Sequence, residues 1–207
     1  MNNITEILRL VCNSLKIPVV VILLVLAAVT VILAGSVVAE LFIERRHLKV
    51  CMPKLVDSIF EKDCDIQECI KNSGLLKNQK EVLIEITNHK DIPDQAREAL
   101  ALRLLTQERG RYDLLVKLSD LVIKLGPALG LLGTLIPLGP GIIALGKGDV
   151  LLLSQSLLTA FDTTITGLSC AAVATVISTI RKRWYTEYMS ILETLTEAVL
   201  EAEKNEQ

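Results

Sequence analysis

The chain is short of several things. Aromatic residues make up 3% of its 207 residues, so its apolar content comes from Leu, Ile, Val and Ala. Outer-membrane barrels carry aromatic girdles at both interfaces, and that architecture is excluded. Charge of one sign is lacking too: 22 basic residues oppose 24 acidic ones, a formal net charge of −2 that offers nucleic acid no attraction. The five cysteines, Cys12, Cys51, Cys64, Cys69 and Cys170, show no paired spacing, which argues against a disulfide framework. The closest three, Cys51, Cys64 and Cys69, fall short of a four-thiolate zinc site. His47 and His89 have no second ligand at a helical offset and read as surface residues. No metal-ligand cluster, nucleophile elbow or phosphate loop is present. The expectation is a protein that is not an enzyme and carries no metal or cofactor.

What is abundant is hydrophobicity: 51% of residues are apolar and the mean hydropathy is +0.46. The run from Ile17 to Ala39 contains no charged residue. At ~1.5 Å per residue it crosses a hydrocarbon layer of ~30 Å. A secretory signal competes, with Val37 and Ala39 as a small-residue cleavage site, but signal cores are far shorter. A second uncharged run extends from Leu125 to Gly146, and a third from Val150 to Ile180 holds Asp162 as its only carboxylate. Lys147, Gly148 and Asp149 between them suit a tight hairpin.

The expected architecture is an all-α membrane protein with three transmembrane helices and a helical cytoplasmic insert. Residues 1–16 form an N-terminal amphipathic segment outside, with Ile4, Ile7, Leu8, Val11 and Leu15 at helical spacing, or a plain lead-in to the first span. Residues 17–43 form the first span, 44–124 the insert, 125–146 the second span, 147–149 the outer hairpin, 150–180 the third span and 181–207 a cytoplasmic tail. Orientation follows from the flanking cations. Arg45, Arg46, Lys49 and Lys54 follow the first span, Lys117 and Lys124 precede the second, and Arg181, Lys182 and Arg183 follow the third. Those ends are expected in the cytoplasm, with the N-terminus outside and the C-terminus inside the cell (inner) membrane. In the insert, Pro93 suits the first turn of a helix carrying Ala96, Leu100 and Leu104. The tail places Tyr188, Ile191, Leu195 and Val199 on one stripe. Both helices are expected to continue the adjoining spans.

At 100° per residue, Gly126, Gly130, Gly133, Pro137 and Gly141 share one face of the second span, nearly bare of side chains and open to close backbone approach. Ala160, Thr164, Gly167, Ala171, Thr175 and Ser178 share a side of the third, a small and weakly polar stripe that suits packing or a narrow path. Pro137, Gly139, Pro140 and Gly141 should break or kink the outer end of the second helix. Asp162 is a functional candidate, because a carboxylate at the bilayer centre costs about 2.5–3.5 kcal/mol. It lies ~28 Å along the helix from Arg181, however, near the outer boundary of the core. It is also turned about 160° from Thr164. It groups instead with Gln155, Thr159, Thr166 and Ser169 on its own polar side.

Glu-Arg-Gly at 108–110, Pro127 to Thr134 (Pro-Ala-Leu-Gly-Leu-Leu-Gly-Thr) and Thr164 with Gly167 and Leu168 together form a pattern. In these residues the chain resembles the MotA/TolQ/ExbB proton-channel family, whose second span carries Pro-x-x-Gly-Leu-Leu-Gly-Thr and whose third carries Thr-x-x-Gly-Leu. The resemblance implies a homo-oligomeric ring, a pentamer, around a single-span ExbD/TolR-like partner that carries the titrating membrane carboxylate. Thr134 and Thr164 would line the ion path; hydroxyls orient water or meet a carboxylate without carrying charge. Their competing use is a bond back to their own helix's carbonyls. Asp162, Thr159 and Thr175 are further ion-path candidates, and Gly126, Gly130, Gly133, Pro137 and Gly167 are helix-packing candidates. One departure is visible: where many members place a glutamate, five residues before the third-span threonine, this chain has Thr159. The insert is too short for the lever domain of a flagellar stator, so the transport-energising ExbB/TolQ-like branch is nearer. The rival readings are a structural or assembly protein without an ion path and, last, a substrate transporter.

Overall fold

The computed structural model describes residues 2–43, 66–89 and 92–205. Arg45, Arg46, His47, Lys49, Cys51, Lys54 and Cys64 lie outside the described residues. The elements are α1 (Asn2–Ile43), α2 (Ile66–Asn72), α3 (Lys77–Asn88), α4 (Asp94–Gly146) and α5 (Val150–Asn205), with no strand among the described residues. The all-α class read from the sequence is the observed one. Three of these helices, α1, α4 and α5, are long and apolar enough to cross a membrane. α1 is continuous through residues 2–43, so the N-terminal segment and the first apolar run are one helix.

The chain divides into two compact units. Unit 1 comprises Met1–Ser36 and Lys117–Thr179, and unit 2 comprises Val37–Val116 and Ile180–Gln207. Unit 1 packs small residues of α4 and α5 against each other and leaves many of its large apolar side chains outside. On α1, Val19, Leu23, Leu26 and Leu33 are buried, while Leu24, Val31 and Ile32 are at least 63% exposed. Leu131, Ile142, Ile143, Leu151 and Ile165 on α4 and α5 are likewise half or more exposed. Such continuous apolar surface is untenable in water and is what hydrocarbon tails cover.

The turn between α4 and α5 is specified residue by residue. Gly148 adopts φ +75°, a left-handed conformation that costs glycine nothing. Asp149 N–H donates to the Ala144 carbonyl at 2.9 Å and Gly148 N–H to that of Leu145 at 3.1 Å, the paired bonds that close a helix C-terminus. Asp149 then caps the next helix, its Oδ1 accepting Leu152 N–H at 3.0 Å. Three polar residues thereby finish one span and start another.

Of the expected break or kink at Pro137–Gly141, the break does not occur: α4 runs through Pro127, Pro137 and Pro140 to Gly146 as one helix. Proline removes a backbone donor, but in a packed, apolar helix the flanking hydrogen bonds have no competing water and the element survives.

Unit 2 has a conventional apolar core of Ile70, Leu75, Val82, Leu83, Ile86, Ala101, Leu192, Leu195, Val199 and Ala202. The 3–4 spacing of Val82, Leu83 and Ile86 gives α3 the one apolar face it buries. Gln79, 1% exposed, ties this core together: its Oε1 accepts Leu76 N–H at 3.2 Å and its Nε2 donates to the Tyr188 carbonyl at 3.0 Å. Both ends of a buried amide are thus satisfied.

Candidate ion path and its packing shell

The centre of unit 1 is a contact between two nearly bare helix faces. A Cβ placed on Gly126 would stand 2.6 Å from the Gly167 carbonyl oxygen, and one on Gly167 would overlap the Gly126 carbonyl. Above it, a Cβ on Gly130 would lie 3.4 Å from the Thr164 Cα, and one on Gly133 would meet the Thr163 Cβ and Oγ1 at 2.6 Å. Gly141 continues the strip, where an added Cβ would lie 3.1 Å from the Ser156 Cβ. Pro137 is buried on the same side. Without side chains on α4, dispersion contacts form directly between backbones, which is how helices associate where no hydrophobic effect separates them from lipid.

On α5 the buried face differs from the stripe drawn from the sequence. Ser156, Ala160, Thr163, Gly167, Cys170, Ala171, Ala174, Ile177 and Ser178 are buried, whereas Thr164 is half-buried and Thr175 exposed. The packing face is centred on Thr163, one residue before Thr164. A rotation of that size decides which hydroxyl fills the Gly133 notch, and periodicity does not resolve it. Thr163 had no signal of its own in the sequence, since it belongs to none of the motifs.

Thr164 is left at the edge of this contact. Its Oγ1 donates across to the Gly130 carbonyl at 3.5 Å. Thr134, half-buried and one turn along α4 from Gly130, donates to its own helix at the Leu131 carbonyl, 2.7 Å away. The two threonines therefore occupy neighbouring levels of one hairpin, and each oxygen keeps lone pairs for another donor. The other hydroxyls bond backwards: Thr159 to Gln155 at 3.0 Å, Thr163 to Ala160 at 2.9 Å, Thr166 to Asp162 at 2.7 Å and Thr175 to Ala171 at 2.8 Å. Asp162 is exposed and is not brought to this contact.

A polar pair closes the other end of the unit. Ser178, 3% exposed, donates its hydroxyl to Asp120 Oδ1 at 2.7 Å, beside the fully buried Ser119. Its signal in the sequence was slight, an acid flanked by Lys117 and Lys124 just before the second apolar run.

In unit 2, Arg181 is an ion-pair residue and not merely a topology signal. Its side chain is 2% exposed and its Nε donates to Glu40 Oε2 at 3.3 Å. Tyr185 supplies a second donor to Glu40 at 2.9 Å. All three tyrosines of the chain gather here, with the Tyr112 and Tyr185 ring centroids 4.5 Å apart and Tyr188 at 6.3 Å from each. The Glu-Arg-Gly motif contributes two further pairs, Arg109 to Glu193 at 2.6 Å and Arg111 to Glu108 at 2.8 Å. The Glu108 hydrogen bond and charge hold the Arg111 guanidinium above its usual range. Because that pKa is raised, this contribution to stability is present at neutral pH and is lost only as strong alkali strips the guanidinium.

Among the described residues, no three His, Cys, Asp or Glu side chains are grouped to hold a metal ion. Comparison with known proteins gives two findings. No curated protein sequence matches the chain. The profile of the family described as "MotA/TolQ/ExbB proton channel family" matches residues 66–194.

Proposed function

The chain belongs to the MotA/TolQ/ExbB proton channel family, and we propose that it is a channel subunit of the ExbB/TolQ-like branch, using a proton gradient to energise a partner for transport across the cell envelope. It sits in the cell (inner) membrane with the N-terminus outside and the C-terminus in the cytoplasm. Several copies, five in this reading, surround a single-span ExbD/TolR-like partner whose membrane carboxylate takes up and releases the proton. The observation that supports the reading is that the family-pattern threonines lie at neighbouring levels of one hairpin, with Thr164 bonded across to Gly130 one turn from Thr134. A partner carboxylate at that level finds hydroxyls that donate to its ionised form and accept from its protonated form. The ion path needs no charge of its own there.

Native mass spectrometry of the complex gently extracted from its membrane tests the assembly. Five copies with two of a small single-span protein are expected; a monomer or dimer stable across several mild detergents would sink the reading. Thr134→Val and Thr164→Val are each expected to cut proton flux about tenfold or more while assembly survives. Unchanged flux in both would remove these threonines from the mechanism. Asp162→Asn is expected to keep proton-dependent function, since Asp162 is exposed and away from the hairpin contact.

One observation favours the alternative, a purely structural membrane protein: the glycine strip is consumed within the chain, and most of the hydroxyls are bonded back to their own helices. Function that persists after a protonophore collapses the gradient would select it.

A further inference from the structure

The proposed path accounts for a proton arriving at the threonines but not for its departure. On α4 there is no ionisable side chain between Lys124 and Lys147, and on α5 Cys170 is the only ionisable group between Asp162 and Arg181. Going inward from Thr134 and Thr164, the first carboxylate on either helix is Asp120. It lies fourteen residues from Thr134, ~21 Å along the helix axis and within about 40° of the same side. Ser178 stands in the same relation to Thr164, with the exposed Thr175 between them, about 20° from the Thr164 direction. The two helices therefore present two polar cross-contacts on one side, Thr164 to Gly130 at 3.5 Å and Ser178 to Asp120 at 2.7 Å.

We propose that Asp120, hydrogen-bonded to Ser178, is a second protonatable station of the path, which releases to the inner side the proton that has passed Thr134 and Thr164. The proposal rests on the channel reading above. A hydronium ion leaving the partner's carboxyl gives its proton to an Asp120 carboxylate oxygen, forming a carboxylic acid and water. The acid then passes that proton to water on the inner side and returns to carboxylate; one proton enters, one leaves and no electrons move. Ser178 suits both states, because its hydroxyl donates to the carboxylate and accepts from the acid. Being 3% exposed, it stays fixed while the carboxyl changes charge. Asp120 itself is half-buried, which gives it both this fixed partner and access to water.

The test is proton flux per assembled complex, measured with a trapped pH dye after the full chain and its co-purifying partner are reconstituted in liposomes. Asp120→Asn keeps an acceptor for Ser178 and loses the protonatable group; flux is expected to fall about tenfold or more at unchanged subunit mass. Asp120→Glu should retain most of the flux. Asp120→Ala should be slow but accelerated several-fold by added azide, a small weak acid that carries protons past a missing relay. Wild-type flux in an assembled Asp120→Asn complex overturns the proposal. So does the pattern of a mere clamp, in which the Asn and Ala variants assemble poorly, conduct normally per complex and ignore azide. Failure of the parent reading looks different: the wild-type complex then passes no protons, or Thr134→Val and Thr164→Val both leave flux untouched.

Discussion

A missing side chain does as much here as a present one. Gly126 and Gly133 sit where an added Cβ would overlap, respectively, the Gly167 backbone and the Thr163 side chain, while a Cβ added to Gly110 or Gly139 would meet no other element within 4 Å. The same substitution should therefore have opposite signs. Gly126→Ala is expected to destabilise unit 1 by about 1–3 kcal/mol, because a backbone carbonyl cannot move aside as a side chain can. Gly110→Ala should stabilise its helix by about 0.5–1 kcal/mol by restricting the unfolded chain. Thermal unfolding of the two variants in the same detergent checks both, and equal shifts would refute the packing account. Gly133→Ala should fall between them, since the opposing group is a threonine side chain with some freedom to turn. The sequence placed these glycines on one face through simple periodicity. It did not reveal that Thr163 fills the notch, because two adjacent threonines differ only by a 100° step.

Between elements, the decisive joint is the buried ion pair of α5 with α1. Arg181 is almost fully buried, and Glu40 neutralises it with help from the Tyr185 hydroxyl. Removing one partner of a buried pair leaves an uncompensated charge. Glu40→Ala is expected to cost about 3 kcal/mol. Tyr185→Phe, which keeps the ring against Tyr112, should cost about 1 kcal/mol. Chemical or thermal denaturation followed by tyrosine fluorescence checks the order; a larger loss from Tyr185→Phe would show that the aromatic cluster, not the ion pair, holds the joint. From the chain alone, Arg181 reads as one of three cations marking the inner side of a span. Its partner lies far away in sequence, which is why no local pattern exposed the pair. The proline cluster shows the opposite failure. Local chemistry predicted a break or kink in α4, and the helix runs on unbroken through its three prolines.

At the scale of the molecule, the unusual quantity is apolar surface left uncovered along α1, α4 and α5. It requires a bilayer, and the orientation proposed from the flanking cations can be tested directly. Cys12 is exposed near the start of α1, while Cys170 is buried in unit 1. With the other cysteines replaced by serine, an impermeant maleimide applied to intact cells is expected to label Cys12 and leave Cys170 unmodified. Labelling of Cys12 only after the cells are broken would invert the topology.

The sequence by itself determined the class of this protein and its family. Long uncharged runs have no stable home in water, helices satisfy their own backbone hydrogen bonds in lipid, and the Pro127 to Thr134 and Thr164 to Leu168 motifs are contiguous signals that survive without a fold. Even the hairpin was legible, since Lys147, Gly148 and Asp149 carry their turn chemistry locally. Tertiary structure alone decided which groups meet. The Gly126–Gly167 crossing, Thr163 in the Gly133 notch, Ser178 on Asp120 and Arg181 on Glu40 join residues distant along the chain. Their pairing depends on helix rotation and register, which are set by close contact in three dimensions and not by the periodicity of any single helix.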